Sequence, residues 1–168
     1  MGIQAQGNVQ MAEGGIVVAL FQLGFGHEKV SFVILRIELD ELLGELLGDE
    51  SKAKGSHVLL APTINLHRNM LGGRNFECLS EDPLLTGVLA TAIVQGVQSK
   101  GVATTAKHFA GNDSEFERNT IDVQVDERTL REVYLLPFEM VVKQGNAWGL
   151  MSAYNRLNGE FCSENHWL

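Results

Sequence analysis

The sequence has little cysteine and little positive charge, and each shortage excludes a class of protein. Its only cysteines are Cys78 and Cys162, and two cysteines cannot form the disulfide network that holds small secreted domains together. We expect both to be free thiols. Lysine and arginine number 13 against 21 aspartates and glutamates, for a net charge of −8. Because a nucleic-acid-binding surface needs a basic patch, the chain is not expected to bind nucleic acid.

Long uninterrupted hydrophobic runs are also missing. The most apolar N-terminal stretch, residues 15–25, is interrupted by Gln22 and Gly24 and has no basic residue before it. It is too short to span a bilayer and a poor match to a signal peptide. The sequence therefore predicts no membrane partner, and it leaves the compartment and the oligomeric state open.

Several sequence motifs with known chemistry are absent as well. There is no GxGxxG or GxxxxGK[ST] loop for a nucleotide and no GxSxG for a serine hydrolase. Four of the five histidines show no metal-ligand spacing; they are His27, His57, His67 and His166. We expect neither a cofactor nor a metal.

What remains is the pattern of an α/β domain. A composition of 45% hydrophobic and 20% charged residues is that of a soluble globular protein. Helical and strand-like segments alternate, which is typical of a parallel sheet. The predicted elements are a helix over 38–54, a strand over 57–62, a helix from Asp82 to Lys100, a strand over 101–106, a helix from Asp126 to Gly145 and a strand over 148–153.

Three details of this pattern predict local structure. Asp82 and Asp126 are expected to cap the second and third helices, and Pro137 is expected to kink or divide the third. The first helix carries leucines at helical spacing, namely Leu39, Leu42, Leu43, Leu46 and Leu47. An eight-unit barrel needs about 200 to 400 residues, so we expect an incomplete one with open sheet edges and uncovered apolar faces.

Polar runs follow the predicted strands, at the positions where a parallel sheet binds ligands. The runs at residues 72–77 and 107–113 read GGRNFE and KHFAGND, and SEFER and MSAYN follow at residues 114–118 and 151–155. In this order and spacing, the four runs closely resemble the N-terminal barrel domain of family 3 glycoside hydrolases, in its β-glucosidase branch. The resemblance covers residues 36–168; residues 1–35 do not share it, and our hypothesis is that they come from a misread frame or gene-model start.

The resemblance implies a fold, an activity and a set of site residues. The fold is a partial (β/α)8 TIM-like barrel, incomplete in this chain. The activity is that of a retaining β-glucosidase, which releases glucose from the non-reducing end of β-glucosides or oligosaccharides in polysaccharide breakdown; fungal relatives are often secreted. By similarity, the substrate-binding residues are Arg74, Lys107, His108, Arg118, Met151 and Tyr154.

The catalytic residues are a different matter. Retaining hydrolysis needs two carboxyl groups about 5 to 5.5 Å apart, and the candidates here are Glu77, Asp82, Asp113, Glu115 and Glu117. Each has a structural alternative as a cap or a loop hydrogen bond. In the family, the nucleophile lies on a later strand and the acid/base in the following domain, so we expect no catalytic residue in this chain and no turnover.

Three alternatives stay open. In the first, the chain is a degenerate gene product or a non-catalytic fragment that keeps Arg74, Lys107 and His108 for sugar binding but does no chemistry. Arg74 also has a purely structural alternative, as an ion-pair partner of Glu77 or Asp82. In the second alternative, the chain belongs to the hexosaminidase branch of the family, although that branch has Pro-Gly-His where this chain has Ala110-Gly111-Asn112. Or it is an unrelated α/β protein in which these residues only pack.

Overall fold

The computed structural model describes the backbone from residue 27 and the side chains from residue 34 to the C-terminus. The chain has two compact units, residues 1–36 and 37–168. The predictions for residues 15–25, and most of those for residues 1–35, lie outside the described residues.

Four helices and six short strands make up the described chain. The helices are α1 His27–Ala53, α2 Pro83–Ser99, α3 Glu127–Thr129 and α4 Leu136–Lys143, with a 3₁₀ turn at Asn75–Glu77 and a π-helical turn at Leu130–Tyr134. The strands are β1 Val58–Leu59, β2 Ala103–Phe109, β3 Asp122–Val123, β4 Gly149–Ser152, β5 Arg156–Leu157 and β6 Glu160–Phe161. No described helix has the length and apolar character needed to cross a membrane.

The three predicted strands form one parallel sheet in the order β1–β2–β4. Val58 pairs with Ala103, and Ala106 pairs with Leu150. This confirms the predicted alternation of helices and parallel strands. Because all three strands run in the same direction, their carboxyl ends lie at one edge of the sheet. The runs at residues 107–113 and 151–155 begin in the last residues of β2 and β4 and continue beyond them at that edge.

A second sheet, which the sequence analysis did not predict, joins β3, β5 and β6. Strands β5 and β6 form an antiparallel hairpin, and Asn158 and Gly159 lie at its turn with φ values of 52° and 98°. An Asn-Gly pair is the strongest short-range hairpin signal because both residues tolerate positive φ. The side chain of Asn158 also bonds both backbone groups of Val125, so the hairpin holds the segment between β3 and α3.

Helix α2 lies in the core and is apolar on nearly every side. Asp82 accepts a hydrogen bond from the backbone of Leu85 at 2.9 Å, with Pro83 in the first turn, which confirms the predicted cap. The main core cluster joins α2 to β2 and α4 through Ile64, Ala90, Val94, Ala106, Phe138 and Val141. The ring of Phe109 packs edge-on against Phe138, 5.0 Å between centroids.

Helix α1 contacts α2 through its glycines and through Leu47, which packs against the cluster of Ile93, Val97 and Val102. An added Cβ at Gly44 would lie 2.5 Å from the carbonyl oxygen of Ile93, and one at Gly96 would lie 2.8 Å from the amide nitrogen of Glu45. The two backbones are therefore in close contact. Of the leucine stripe, Leu47 is half-buried, whereas the rest is exposed, namely Leu39, Leu42, Leu43 and Leu46.

The third predicted helix is divided, as the proline predicted. Asp126 caps α3 by accepting from the backbone of Thr129 at 3.0 Å. The π-helical turn follows, and α4 begins again with Pro137 in its first turn. Proline lacks an N–H to continue the preceding ladder, which is why a new helix starts there.

One local prediction was wrong. Lys107 and His108 were expected on a loop after the second strand, but both lie inside β2, which continues to Phe109. Its pairing with β4 shifts register between Lys107 and Phe109. The peptide bond between Lys107 and His108 is cis.

Candidate functional site

Arg74 is the centre of a polar cluster at the carboxyl edge of the main sheet. It lies just before the 3₁₀ turn, and its Nε donates to Glu77 Oε1 at 2.5 Å. Thr63, which follows β1, donates from its hydroxyl to Glu77 Oε2 at 2.7 Å. These two donors outweigh partial burial and lower the pKa of Glu77 to about 2, with Arg74 the larger cause. Glu77 is therefore a carboxylate that orients Arg74.

A second carboxylate, Glu115, links Arg74 to the outer part of the cluster. Glu115 accepts from Asn112 at 3.0 Å and from Arg118 Nη1 at 2.7 Å, and its Oε1 lies 3.5 Å from Arg74 Nη1. Burial acts to raise the pKa of Glu115, but these donors and charges hold it below its usual range. The Arg118 guanidinium also lies over the ring of Tyr154, 5.4 Å from its centroid. Three of the predicted site residues are thus connected through Glu115.

His108 contacts Arg74 from the other side. Its Nε2 lies 3.3 Å from Arg74 Nη1, and its Nδ1 lies 3.2 Å from the side-chain oxygen of Asn65. The side chain is buried, with 7% of its surface exposed. Burial, together with the positive charges of Arg74 and Lys107, lowers the pKa of His108 to about 4. At neutral pH this imidazole is uncharged.

Lys107 and Met151 complete the predicted set. They pair across β2 and β4, and both are half-buried. Lys107 is close enough to Glu77 and His108 to shift the pKa of both. Within residues 34–168, however, no acceptor lies within hydrogen-bonding distance of its ammonium group. A half-buried ammonium with three free donors is well suited to bind ligand oxygens.

The structure assigns local roles to the other carboxylates. Asp82 is the cap of α2. Asp113 Oδ1 accepts from the backbone of Leu66 at 2.9 Å, and burial raises the pKa of Asp113 to about 6, against the opposing effects of that bond and of Arg68. Glu117 is exposed, with a φ of 49°.

The sequence analysis missed two residues that form this cluster. Asn65 makes three contacts with His108, and Thr63 holds Glu77. Both lie a few residues after β1, in the segment Pro62-Thr63-Ile64-Asn65. Polar side chains alternating with an apolar residue at a strand end were the available signal.

The opposite pKa shifts of His108 and Asp113 predict opposite effects on stability. The folded-state pKa of His108 is about 4, below the ordinary 6.5, so its contribution is lost as pH falls from 6.5 to 4. The pKa of Asp113 is about 6, above the ordinary 3.8, so its contribution is lost as pH rises through 6. The parent gains stability from His108 as pH rises from 4 to 6, and His108→Gln lacks this gain. As pH rises over this range, we therefore expect the free energy of unfolding of His108→Gln to fall relative to that of the parent, by roughly 1 kcal/mol per pH unit. Asp113→Asn should change it in the opposite direction.

Urea titrations of the three proteins at pH 4, 5 and 6 measure this effect. Groups that titrate alike in all three cancel when each variant is compared with the parent. Parallel pH profiles would contradict the shifts that the structure assigns to these two residues.

Known proteins are similar to this chain in sequence and in fold. The family model described as glycosyl hydrolase family 3 N terminal domain matches residues 7–168. A β-glucosidase of Rhizobium radiobacter is 59% identical over 131 residues, which are 78% of this chain and 16% of that protein. β-Glucosidase B of Emericella nidulans is 44% identical over 158 residues, covering 93% of this chain and 18% of that protein.

Solved structures give the same result. β-Glucosidase 3B of Thermotoga neapolitana in complex with glucose matches with a TM-score of 0.77 and 52% identity, over 79% of this chain and 18% of that one. The chain spans about a sixth of the length of the curated relatives it matches. The family match starts upstream of residue 36, and the domain boundary near that residue stays a prediction. Because both its sequence and its fold match in this way, the chain belongs to glycoside hydrolase family 3, and it carries sequence of that family's N-terminal domain.

Proposed function

We propose that this chain forms the part of a retaining β-glucosidase that holds the terminal glucose unit of the substrate. The observation that carries the proposal is the free ammonium of Lys107 beside Arg74 and uncharged His108. Fixed and mobile donors gathered at one edge of a parallel sheet suit a ring of sugar hydroxyls. The matched proteins named β-glucosidase, and a similar solved structure that contains glucose, support the substrate class.

The sheet has a place in the proposed fold. We infer that β1, β2 and β4 are successive strands of a (β/α)8 barrel, in which α2 follows β1, and α3 and α4 follow β2 after the short strand β3. In such barrels, ligands bind at the carboxyl ends of the strands. The parallel order of the strands and the polar cluster at that edge support the inference. Met151, Tyr154 and Arg118 would then line the pocket beside the three principal donors.

The protonation and ion pairing of the carboxylates indicate whether this part of the protein supplies catalytic groups or only binding groups. A retaining mechanism uses one carboxylate to attack the anomeric carbon and one carboxylic acid to protonate the leaving oxygen. Glu77 has a pKa of about 2 and is bound by Arg74, so it cannot serve as that acid near neutral pH. Glu115 is bound by two arginines. The described residues therefore supply binding groups, and we propose that both catalytic carboxylates belong to other parts of a longer protein.

Calorimetric titration of the 168-residue chain with glucose tests this function. We expect binding that is at least about tenfold weaker in Lys107→Ala, because a hydrogen bond to a charged group contributes about 1.5 to 3 kcal/mol. Lys143→Ala is the matched control, since Lys143 is exposed and pairs only with Glu139 in α4. We also expect no release of nitrophenol from nitrophenyl β-glucoside.

Each result is informative. Binding that is lost in Lys107→Ala and kept in Lys143→Ala supports the proposed site. The same affinity in both variants would place the sugar elsewhere, and no binding by the parent chain would overturn the holding function. Nitrophenol release by the purified chain would overturn the proposed division of labour.

A further inference from the structure

The side chain of Asn65 is devoted to one residue, His108, which lies 43 positions later in the sequence. Its Nδ2 donates to the His108 carbonyl oxygen at 3.0 Å, and its Oδ1 accepts from the His108 backbone nitrogen at 2.9 Å. Both side chains are buried, with 4% and 7% of their surfaces exposed. These two hydrogen bonds are therefore short, shielded from water and specific to His108.

The backbone partners fix which way the Asn65 amide points. A backbone N–H can only donate and a carbonyl oxygen can only accept, so the oxygen of Asn65 must face the His108 nitrogen and its NH₂ group must face the carbonyl. Exchange of the two amide atoms would break both bonds. The usual ambiguity of an asparagine side chain does not arise here.

This orientation determines the tautomer of His108. The same Asn65 Oδ1 lies 3.2 Å from Nδ1 of the ring, and it can only accept. Nδ1 therefore carries the ring proton, and Nε2 of the uncharged ring keeps its lone pair. That lone pair is 3.3 Å from Arg74 Nη1, which donates to it.

We propose that Asn65 is a positioning residue that acts through His108 on Arg74. By holding the ring proton on Nδ1, Asn65 leaves Nε2 as an acceptor for the guanidinium. The opposite tautomer, or a charged ring, would turn an N–H toward Arg74 and displace it. With His108, Glu77 and Glu115 each bound on one side, Arg74 keeps the hydrogens of Nη2 for a ligand.

We call the series of contacts from Asn65 through His108 to Arg74 the relay, and its link to sugar binding rests on the proposed function. A guanidinium held on several sides loses little conformational freedom when it binds a hydroxyl, so the relay should strengthen binding without contacting the sugar. Asn65 would thus affect affinity although it has no ligand contact of its own.

The test is nitrogen NMR of the 168-residue chain with ¹⁵N-labelled histidine. At pH 7 we expect His108 to show a pyrrole-type Nδ1 and a pyridine-type Nε2, with the signal identified by its loss in His108→Gln. Asn65→Asp keeps the accepting oxygen but adds a negative charge next to Nδ1, so both ring nitrogens should be protonated at pH 6. Glucose binding by Asn65→Asp should then weaken about tenfold, with an unchanged far-ultraviolet circular dichroism spectrum.

The outcomes separate this inference from the proposed function. A proton on Nε2 in the parent chain would overturn the inference even if Asn65→Asp fails to fold. Unchanged protonation or unchanged glucose affinity in a folded Asn65→Asp would also overturn it. The expected tautomer and its loss in Asn65→Asp support the relay whether or not the parent binds glucose, whereas absence of glucose binding by the parent counts against the proposed function.

Discussion

Replacing Arg74 by alanine is expected to abolish glucose binding by this chain and to lower its free energy of unfolding by about 2 kcal/mol. Arg74 contacts Glu77, Glu115 and His108. Removal of one member of a buried ion pair costs about 3 to 5 kcal/mol because it leaves the partner charge unpaired. Here the side chains are about a quarter exposed, so solvent screens part of that cost.

The same substitution should change the protonation of its neighbours. Arg74 is the largest cause of the low pKa of Glu77, so that pKa should rise from about 2 toward or above the ordinary 4.5. The pKa of His108 should rise from about 4, because one of the two positive charges beside it is gone. Carbon and nitrogen NMR titrations of the two side chains measure these changes directly.

Arg128→Ala is the matched control for stability. Arg128 also pairs with a glutamate, Glu132, but 83% of its side chain is exposed. Exposed pairs contribute about 0 to 1 kcal/mol, so this variant should unfold at nearly the parental urea concentration and bind glucose as the parent does. Equal losses of stability in Arg74→Ala and Arg128→Ala would show that Arg74 is an ordinary surface residue.

Local signals in the sequence predicted the helix ends well. Asp82 and Asp126 were predicted as caps, and both accept the backbone N–H three residues later. A cap needs only its own neighbours in the chain, so sequence suffices to find it. The Asn158–Gly159 hairpin was equally local and was overlooked, although the dipeptide signals such a turn.

The face by which α1 packs was not accessible in the same way. Leucines and glycines both recur at helical spacing along this helix, and periodicity marks a face without saying what will cover it. The structure buries Gly44 and Gly48 and leaves most of the leucines exposed. Sequence reasoning did expect uncovered apolar faces, but the close glycine contact depends on Gly96 in another helix.

The sequence analysis named only some members of the polar cluster around Arg74, because the cluster depends on contacts between residues that are far apart in the chain. The family resemblance of the runs at residues 72–77 and 107–113 predicted Arg74 and His108 as site residues, and the structure brings these two residues into contact. Asn65 was missed because its partner lies 43 residues away. Which tautomer a histidine adopts, and which carboxylate an arginine orients, are decided by such distant contacts and not by local pattern.

The second large effect is expected for Gly96→Ala, which should lower the free energy of unfolding by about 2 to 3 kcal/mol. An added Cβ would clash with the carbonyl oxygen of Glu41 and lie 2.8 Å from the amide nitrogen of Glu45 and 3.0 Å from the carbonyl carbon of Gly44. All three atoms belong to the backbone, so α1 as a whole must move away from α2. Alanine is the better helix former by about 1 kcal/mol, which offsets only part of the cost. Urea unfolding followed by circular dichroism measures the difference.

Gly87→Ala is the control, because Gly87 is also buried in α2 but the three atoms nearest to its added Cβ all belong to the side chain of Met140. A thioether can rotate away, so the gain in helix propensity should leave this variant within about 1 kcal/mol of the parent. Gly44→Ala should destabilise like Gly96→Ala, since its Cβ would meet the backbone of Ile93. Because either alanine forces the same two helices apart, the double variant should cost less than the sum of the single ones. Additive losses would mean that the two glycines do not share one interface.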